Sequence, residues 1–411
     1  MKNLETTRRL WALTDRKRDE LLGICADLIK IPSEKMGQME AIVEFVHAYL
    51  ADAGISHEIL RGPDDVPCIV ARLGREGGKV GVINGHNDIV PVGDLSRWDY
   101  SPYCGTITDR HILGRGASDM KCGVGMALFL AKTIVRENLN LNGKLVLHIV
   151  HDEESGGEKG TLWLTENGYA DGVDFCLVPE PTTWNNVEVG QKGSMRIEAT
   201  ARGGEEGSGD NAVHKMTRFL ARLSALSELE GTYRADQLRV LADSKRIIRE
   251  CLAAEGVERA IDHVNVNLMA LDGASPRLCR ALVGALTPVG LSVESVKDRI
   301  EEIARECAGI TVEYPRRKDA ACTDPSSELA ASAVENATLV WGRTVVPAWQ
   351  WATSDAKFYR YKGIPTIQYG PANTPGIHAY NENVDIEDVI NCAKTYFGVL
   401  EDLMGFEDFV S

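Results

Sequence analysis

The sequence predicts an α/β protein in which a mostly parallel sheet is covered by helices and a smaller α+β unit is inserted into the chain. Three observations carry this. At 411 residues the chain is longer than one hydrophobic core usually serves, and 44% apolar residues suffice for two. Helix-like and strand-like segments alternate over residues 1–192 and again over 319–411, the pattern of a covered, largely parallel sheet. Residues 193–318 have another texture, with short β-rich runs and charged amphipathic stretches in a β-α-β-β-α-β string that suits a small sheet with helices on one face.

Taken in order, a helical pattern covers about 15–31 and stops at Pro32, which cannot continue a helix, and a second covers about 37–53. Strands are expected at CIVARL (68–73) and VGVING (80–85), a glycine-flanked helix at GVGMALFLAKTIV (123–135), and strands at KLVLHIV (144–150) and DFCLV (174–178). The inserted unit opens with SMRIEATARGG and a Gly/Glu-rich turn. It continues with helices near 210–228 and 234–256, the runs VNVNLMAL and ALVGAL, the helix SVESVKDRIEEIARE and the strand ITVEYP. The first texture resumes with a helix over SSELAASAVENATLVWG, a strand at PTIQYG and a closing helix after Asp385. Internal repeats and low-complexity linkers are absent from the sequence.

Bulk properties remove several function classes. Sixty acidic against 45 basic residues leave a formal charge of −15, with no cationic surplus to displace counterions from a nucleic acid. No apolar run approaches the roughly 20 residues of a membrane span, and the start MKNLETTRRLWALTDRKRDE lacks the apolar segment of a secretory signal. Ten scattered cysteines without a CxxC read as reduced thiols, and the expected location is cytoplasmic. The expected partner is a small-molecule substrate, not nucleic acid or membrane.

Four polar clusters follow apolar runs directly. VGVING leads to His86-Asn87-Asp88, LVLHIV to Asp152-Glu153-Glu154, DFCLVP to Glu180, and IPTIQYG to the loop holding His378. Open α/β sheets build their sites beyond the carboxyl ends of the strands, so distant residues converge there. A fifth cluster, GRGASDMKCGVG, places Asp119 in a glycine-rich turn before a helix. Two histidines and three carboxylates suit zinc or manganese, with cobalt also accommodated, one or two ions per subunit. Asp119 is the natural bridge, with His86 and Glu180 on one ion and Glu154 and His378 on the other. Glu153 is the candidate general base for an attacking water, and Asp88 the acceptor that fixes the imidazole of His86. Taken singly, each has a plainer reading: a hydrogen-bonded turn histidine, a solvated acidic turn, a helix cap. Agreement of all five at strand ends is what favours a metal centre.

These clusters, read as GHNDIVP, WDYSPYCGTITDRHILGRGASDMKCGVG, HDEESGG, VPEPT, TSDAKF and GPANTPGIHAYNENV, resemble the family of aminoacylase, acetylornithine deacetylase, succinyl-diaminopimelate desuccinylase and glutamate carboxypeptidase. The resemblance covers about residues 15–200 and 325–410. It implies a zinc-exopeptidase-like catalytic domain, a ferredoxin-like lid that often dimerises, hence a homo-oligomer, and the same roles for His86, Asp119, Glu154, Glu180, His378, Asp88 and Glu153.

The lid departs from the family. The usual Gly-x-x-x-His is replaced by ARGGEEGSGDNAV, leaving His214 as a candidate stand-in for the oxyanion donor or as a surface histidine. The strand that normally carries a carboxylate-binding arginine reads SPRLCRALVGALTPVG, with Ala285 and Leu286 in that region, so Arg277, Arg280 or Lys357 are the alternative clamps. Trp98, Trp349, Trp351 and Tyr380 offer stacking surface or belong to the core. The sequence reading is therefore a metal-dependent hydrolase cleaving the amide of an N-acyl amino acid or dipeptide-like compound. Hydrolytic deamination of an aromatic amine is the second reading and a non-catalytic metal-binding scaffold the third.

Overall fold

The computed structural model describes residues 4–205 and 209–407, and its contacts divide the chain into two compact units. The first comprises Met1–Val189, Thr323–Pro347 and Ser354–Ser411; the second comprises Gly190–Cys322 and Ala348–Thr353.

In the first unit the strands Phe175–Pro181 and Thr366–Gly370 are buried along their whole length, and Lys79–His86 and Gly143–Val150 nearly so. Strands covered on both faces read as unbroken apolar runs, which is why these segments do not alternate. Across the sheet the order is Ser56–Arg61, Pro67–Gly74, Gly143–Val150, Lys79–His86, Phe175–Pro181, Thr366–Gly370 and Asn186–Gln191. The four strands from Gly143–Val150 to Thr366–Gly370 are mutually parallel, as expected. The flanks are antiparallel: Ser56–Arg61 and Pro67–Gly74 form a hairpin, and Pro67–Gly74 pairs antiparallel to Gly143–Val150. A five-residue connection permits only that sense of pairing. Helix Lys121–Arg136 lies against the sheet so closely that a Cβ on Gly123 would sit 2.4 Å from the carbonyl oxygen of Pro179. Glycine at 123 is thus a requirement of helix-to-strand contact.

The helix expected over 15–31 is found at Arg18–Ile29, and a further helix that was not expected, Leu4–Arg16, precedes it. Helix Leu4–Arg16 docks on the closing helix Ile386–Leu403, where Trp11 Nε1 donates to the Lys394 carbonyl at 2.9 Å and Lys394 pairs with Asp15 at 2.6 Å.

The second unit holds four antiparallel strands, in the order Asn265–Asp272, Leu278–Thr287, Gly193–Arg202, Ile310–Lys318. By chain order this is second, third, first, fourth, a ferredoxin-like arrangement. Helices Ala212–Leu223 and Val293–Glu306 bury Met216, Phe219, Leu223, Val296, Ile300 and Ile303 against Ile197, Ala199 and Val283 of one sheet face. Both helices begin at side-chain caps: Asn211 accepts from the N–H groups of Val213 and His214, and Ser292 from that of Ser295. The expected Gly/Glu-rich turn lies partly outside the described residues, at 206–208.

Candidate metal centre

At the carboxyl ends of the four parallel strands the first unit brings together seven side chains that the sequence singles out. His86 ends its strand, Glu180 lies at the end of Phe175–Pro181, and Glu153 and Glu154 form a tight turn after Gly143–Val150. Asp119 sits in the turn before helix Lys121–Arg136, where Gly116 takes a φ of +82° that other residues adopt at a cost. His378 lies in the loop after Thr366–Gly370, itself at φ +60°.

His86 Nε2 is 3.1 Å from Asp119 Oδ1 and 3.7 Å from Glu180 Oε1. His378 Nε2 is 3.1 Å from Asp119 Oδ2 and 3.2 Å from Glu154 Oε1. The two oxygens of Asp119 therefore face different histidines. Two groups result, His86–Asp119–Glu180 and Asp119–Glu154–His378, each with ligand-type atoms within 4.8 Å of one another. Glu154 Oε1 is buried and accepts no hydrogen bond, although His378 Nε2 lies within contact distance. Ligand-type atoms of two histidines and three carboxylates gathered this closely, with a buried carboxylate oxygen left over, are the arrangement a cation fills.

The electrostatics agree. Burial, reinforced by the neighbouring Glu180, pushes the Glu153 carboxyl well above its usual range; burial and Asp119 do the same for Glu180. Burial opposes charge on His86, yet hydrogen bonds to Asp119 and Asp88 hold its imidazolium well above the usual range. His378 is raised to about 10 by Asp119 and then Glu154. A low-dielectric pocket with this many carboxylates demands positive charge, and a divalent ion supplies it more completely than protonated histidines.

Asp88 does more than the sequence suggests. Its backbone carbonyl, 2.9 Å from His86 Nδ1, is the nearer partner of the ring, with the carboxylate at 3.5 Å. That carboxylate accepts the N–H groups of Glu153 at 3.3 Å and Glu154 at 3.0 Å, so it shapes the acidic turn. Three further charged residues carry no role in the sequence reading. Lys121 Nζ donates to the carbonyls of Leu28 (3.1 Å) and Ile31 (2.6 Å) at the end of helix Arg18–Ile29, an ammonium where carbonyls lack helical partners. Arg115 and Glu382 form a buried pair at 2.5 Å. All three sit inside the quoted motifs; charge next to a glycine turn was the available signal for Arg115 and Lys121, and for Glu382 only its place four residues after His378.

The candidate substrate contacts each have surroundings of their own. Tyr380 packs on Trp98, carries the Arg97 guanidinium 4.0 Å from its ring centre and accepts the Asp94 N–H at its hydroxyl. Trp98 is buried and donates to the Val92 carbonyl. Lys357 is buried, its ammonium donating to the Ser354 carbonyl at 2.8 Å. In the second unit His214 is exposed on its helix, Trp349 is buried and stacked on Tyr233, and Trp351 is half-buried. Arg277 and Arg280 are exposed.

Comparison with known proteins places this geometry. The pattern of peptidase family M20/M25/M40 matches residues 82–402. A succinyl-diaminopimelate desuccinylase of Cereibacter sphaeroides is 31% identical over 402 residues, covering 93% of this chain and 98% of its own. Among solved structures, an M20 family metallo-carboxypeptidase of Sulfolobus solfataricus superposes with a TM-score of 0.80 at 16% identity, covering 93% of this chain and 99% of its own. Human carnosine dipeptidase 1 gives 0.80 at 14%, covering 97% and 98%. The chain belongs to peptidase family M20/M25/M40 and is a hydrolase of amide bonds that depends on divalent metal.

Proposed function

We propose that the chain hydrolyses the amide bond of an N-acylated amino acid or a dipeptide-like compound, with Glu153 as general base. The observation that carries this is the position of Glu153. It adjoins Glu154 of one candidate ligand group, its N–H is held by Asp88, and burial makes its carboxylate a stronger base than an ordinary glutamate. We assign His86, Asp119 and Glu180 to one ion and Asp119, Glu154 and His378 to the other. Bound there, divalent ions polarise the substrate carbonyl and acidify water. Glu153 then takes a proton from the attacking water and returns it to the leaving nitrogen, while Asp88 keeps both the His86 ring and the acidic turn in place.

The desuccinylase relative makes N-succinylated amino acids the first substrates to test. The deaminase reading rests first on the missing lid histidine and arginine, and second on aromatic stacking surface, of which Trp98, Trp349 and Tyr380 are packed against neighbours. The test is mass spectrometry of products after the zinc- or manganese-loaded enzyme meets N-succinyl and other N-acyl amino acids, dipeptides and aromatic amines, with Glu153→Ala as blank. Acid plus free amine, absent from the blank, supports the reading; ammonia with exchange of amino for hydroxyl refutes it.

The second unit supplies a candidate self-association surface. Leu268, Met269 and Leu271 are exposed on the edge strand Asn265–Asp272, whose unpaired backbone can extend onto a second copy. Ten free cysteines suit a reducing compartment, and no helix among the described residues is long and apolar enough to cross a membrane. We accordingly place the enzyme in the cytoplasm.

A further inference from the structure

Of the five side chains assigned to metal, three stand on or beside strand ends, but Asp119 and His378 come from loops. One buried charge pair joins those loops. Glu382 Oε1 accepts the backbone N–H of Ser118 at 3.0 Å and of Asp119 at 3.2 Å. Glu382 Oε2 receives Arg115 Nη1 at 2.5 Å, and the same nitrogen donates to the Ala379 carbonyl at 3.1 Å. Arg115 Nη2 makes a longer bond to the carbonyl of His378 itself, at 3.4 Å. The Glu382 side chain is fully buried and that of Arg115 is 3% exposed. Two bonds to its own carbonyl brace the same place: the Gly114 N–H and the Tyr100 hydroxyl both donate to the Glu382 carbonyl at 2.9 Å.

A buried ion pair is by itself weak evidence for stability, because desolvation can outweigh the attraction. Here, however, each partner directs its remaining hydrogen bonds to the main chain of a ligand residue or its neighbour. The arrangement also acts on a residue that needs support, since His378 holds a left-handed φ of +60° that a non-glycine residue adopts at a cost. Resting on the metal assignment above, we propose that Arg115 and Glu382 are positioning residues that fix the span between Asp119 and His378 and thereby the affinity of the ion held by Asp119, Glu154 and His378. The His86–Asp119–Glu180 group depends on the pair through Asp119 alone, as His86 and Glu180 are carried by the strands Lys79–His86 and Phe175–Pro181. The two ions therefore respond unequally when the pair is broken.

The test compares the unsubstituted protein with Glu382→Gln, which keeps an acceptor oxygen but loses the charge, and Arg115→Lys, which keeps the charge but loses the forked donor. Metal-free proteins are titrated with zinc against a chelating competitor and with cobalt(II) by visible absorption, and the unfolding midpoint of each metal-free protein is recorded. The expected result is one of the two equivalents bound about 10–100-fold more weakly, with its cobalt spectrum altered and the other equivalent little changed. Two equivalents bound as in the unsubstituted protein overturn the proposal. So does an equal loss at both sites that merely follows a lower metal-free unfolding midpoint. Should Glu382→Gln fail to fold, Arg115→Lys decides by the same readings. Failure of the unsubstituted protein to bind any divalent ion sinks the metal assignment and this proposal together, whereas normal binding with indifferent variants sinks the proposal alone.

Discussion

Glu153 and Asp88 show how neighbouring carboxylates can have opposite tasks. Glu153 faces burial and the charge of Glu180, which raise its basicity, whereas Asp88 accepts two backbone N–H groups and shapes the acidic turn. Replacing Glu153 by Gln should therefore lower kcat by about 10²- to 10⁴-fold with metal content unchanged, measured by steady-state kinetics beside metal analysis of the same sample. A loss of metal in step with activity would make Glu153 a ligand instead of a base. Asp88→Ala leaves the N–H groups of Glu153 and Glu154 without their acceptor, and a 10- to 100-fold weaker metal affinity or activity is expected. Unaltered metal titration and turnover would show that the backbone carbonyl of Asp88 alone suffices for His86.

Among the elements, the strand Gly143–Val150 carries a pH-sensitive group in its interior. His148 is fully buried, its Nδ1 lies 2.6 Å from the Tyr359 hydroxyl, and its Nε2 has no partner. Burial, with a smaller contribution from Arg72, pushes it down to about 3. Because the folded value lies below the unfolded one of about 6.5, the unfolded chain binds the extra proton between those values. Stability from this group is complete above about pH 6.5 and falls as pH drops toward 3. At pH 5 the loss is roughly 2 kcal/mol. His148→Gln should show a shallower decline in urea unfolding free energy between pH 7 and 5 than the unsubstituted protein. His151, pushed down to about 4, acts in the same window and remains in both. Parallel declines would show that His148 does not titrate in this way.

For the molecule as a whole, two expectations concern assembly and metal. Placing lysine at Leu268 and glutamate at Met269 on the edge strand should convert a dimer to a monomer, read by sedimentation, since charge on an exposed edge opposes strand pairing. A monomeric unsubstituted protein would refute that interface. Treatment with a strong chelator should abolish hydrolysis, and zinc, manganese or cobalt should restore it, because the carboxylates around Asp119 need a cation to sit together. Activity that survives complete metal removal would contradict the mechanism.

Much of this was legible in the amino-acid order alone. Strands buried on both faces announce themselves as apolar runs, and polar residues directly after them must lie at the sheet's carboxyl edge, so the fold class and the neighbourhood of His86, Glu153, Glu154 and Glu180 follow from local chemistry. The amphipathic spacing of Met216, Phe219 and Leu223 likewise marks the helices of the inserted unit. Long-range pairing was not legible. That Leu4–Arg16 docks on the closing helix shows only in the contact of Trp11 with Lys394, and that Glu382 holds the Asp119 turn depends on a contact across 263 residues. Nor does sequence, which shows a side chain's chemistry and not its neighbours, reveal that Tyr380 carries the Arg97 guanidinium or that Lys357 donates to the Ser354 carbonyl. Periodicity and residue type act over a few positions and are written in the chain, whereas the partners of buried charges are chosen only when distant segments pack.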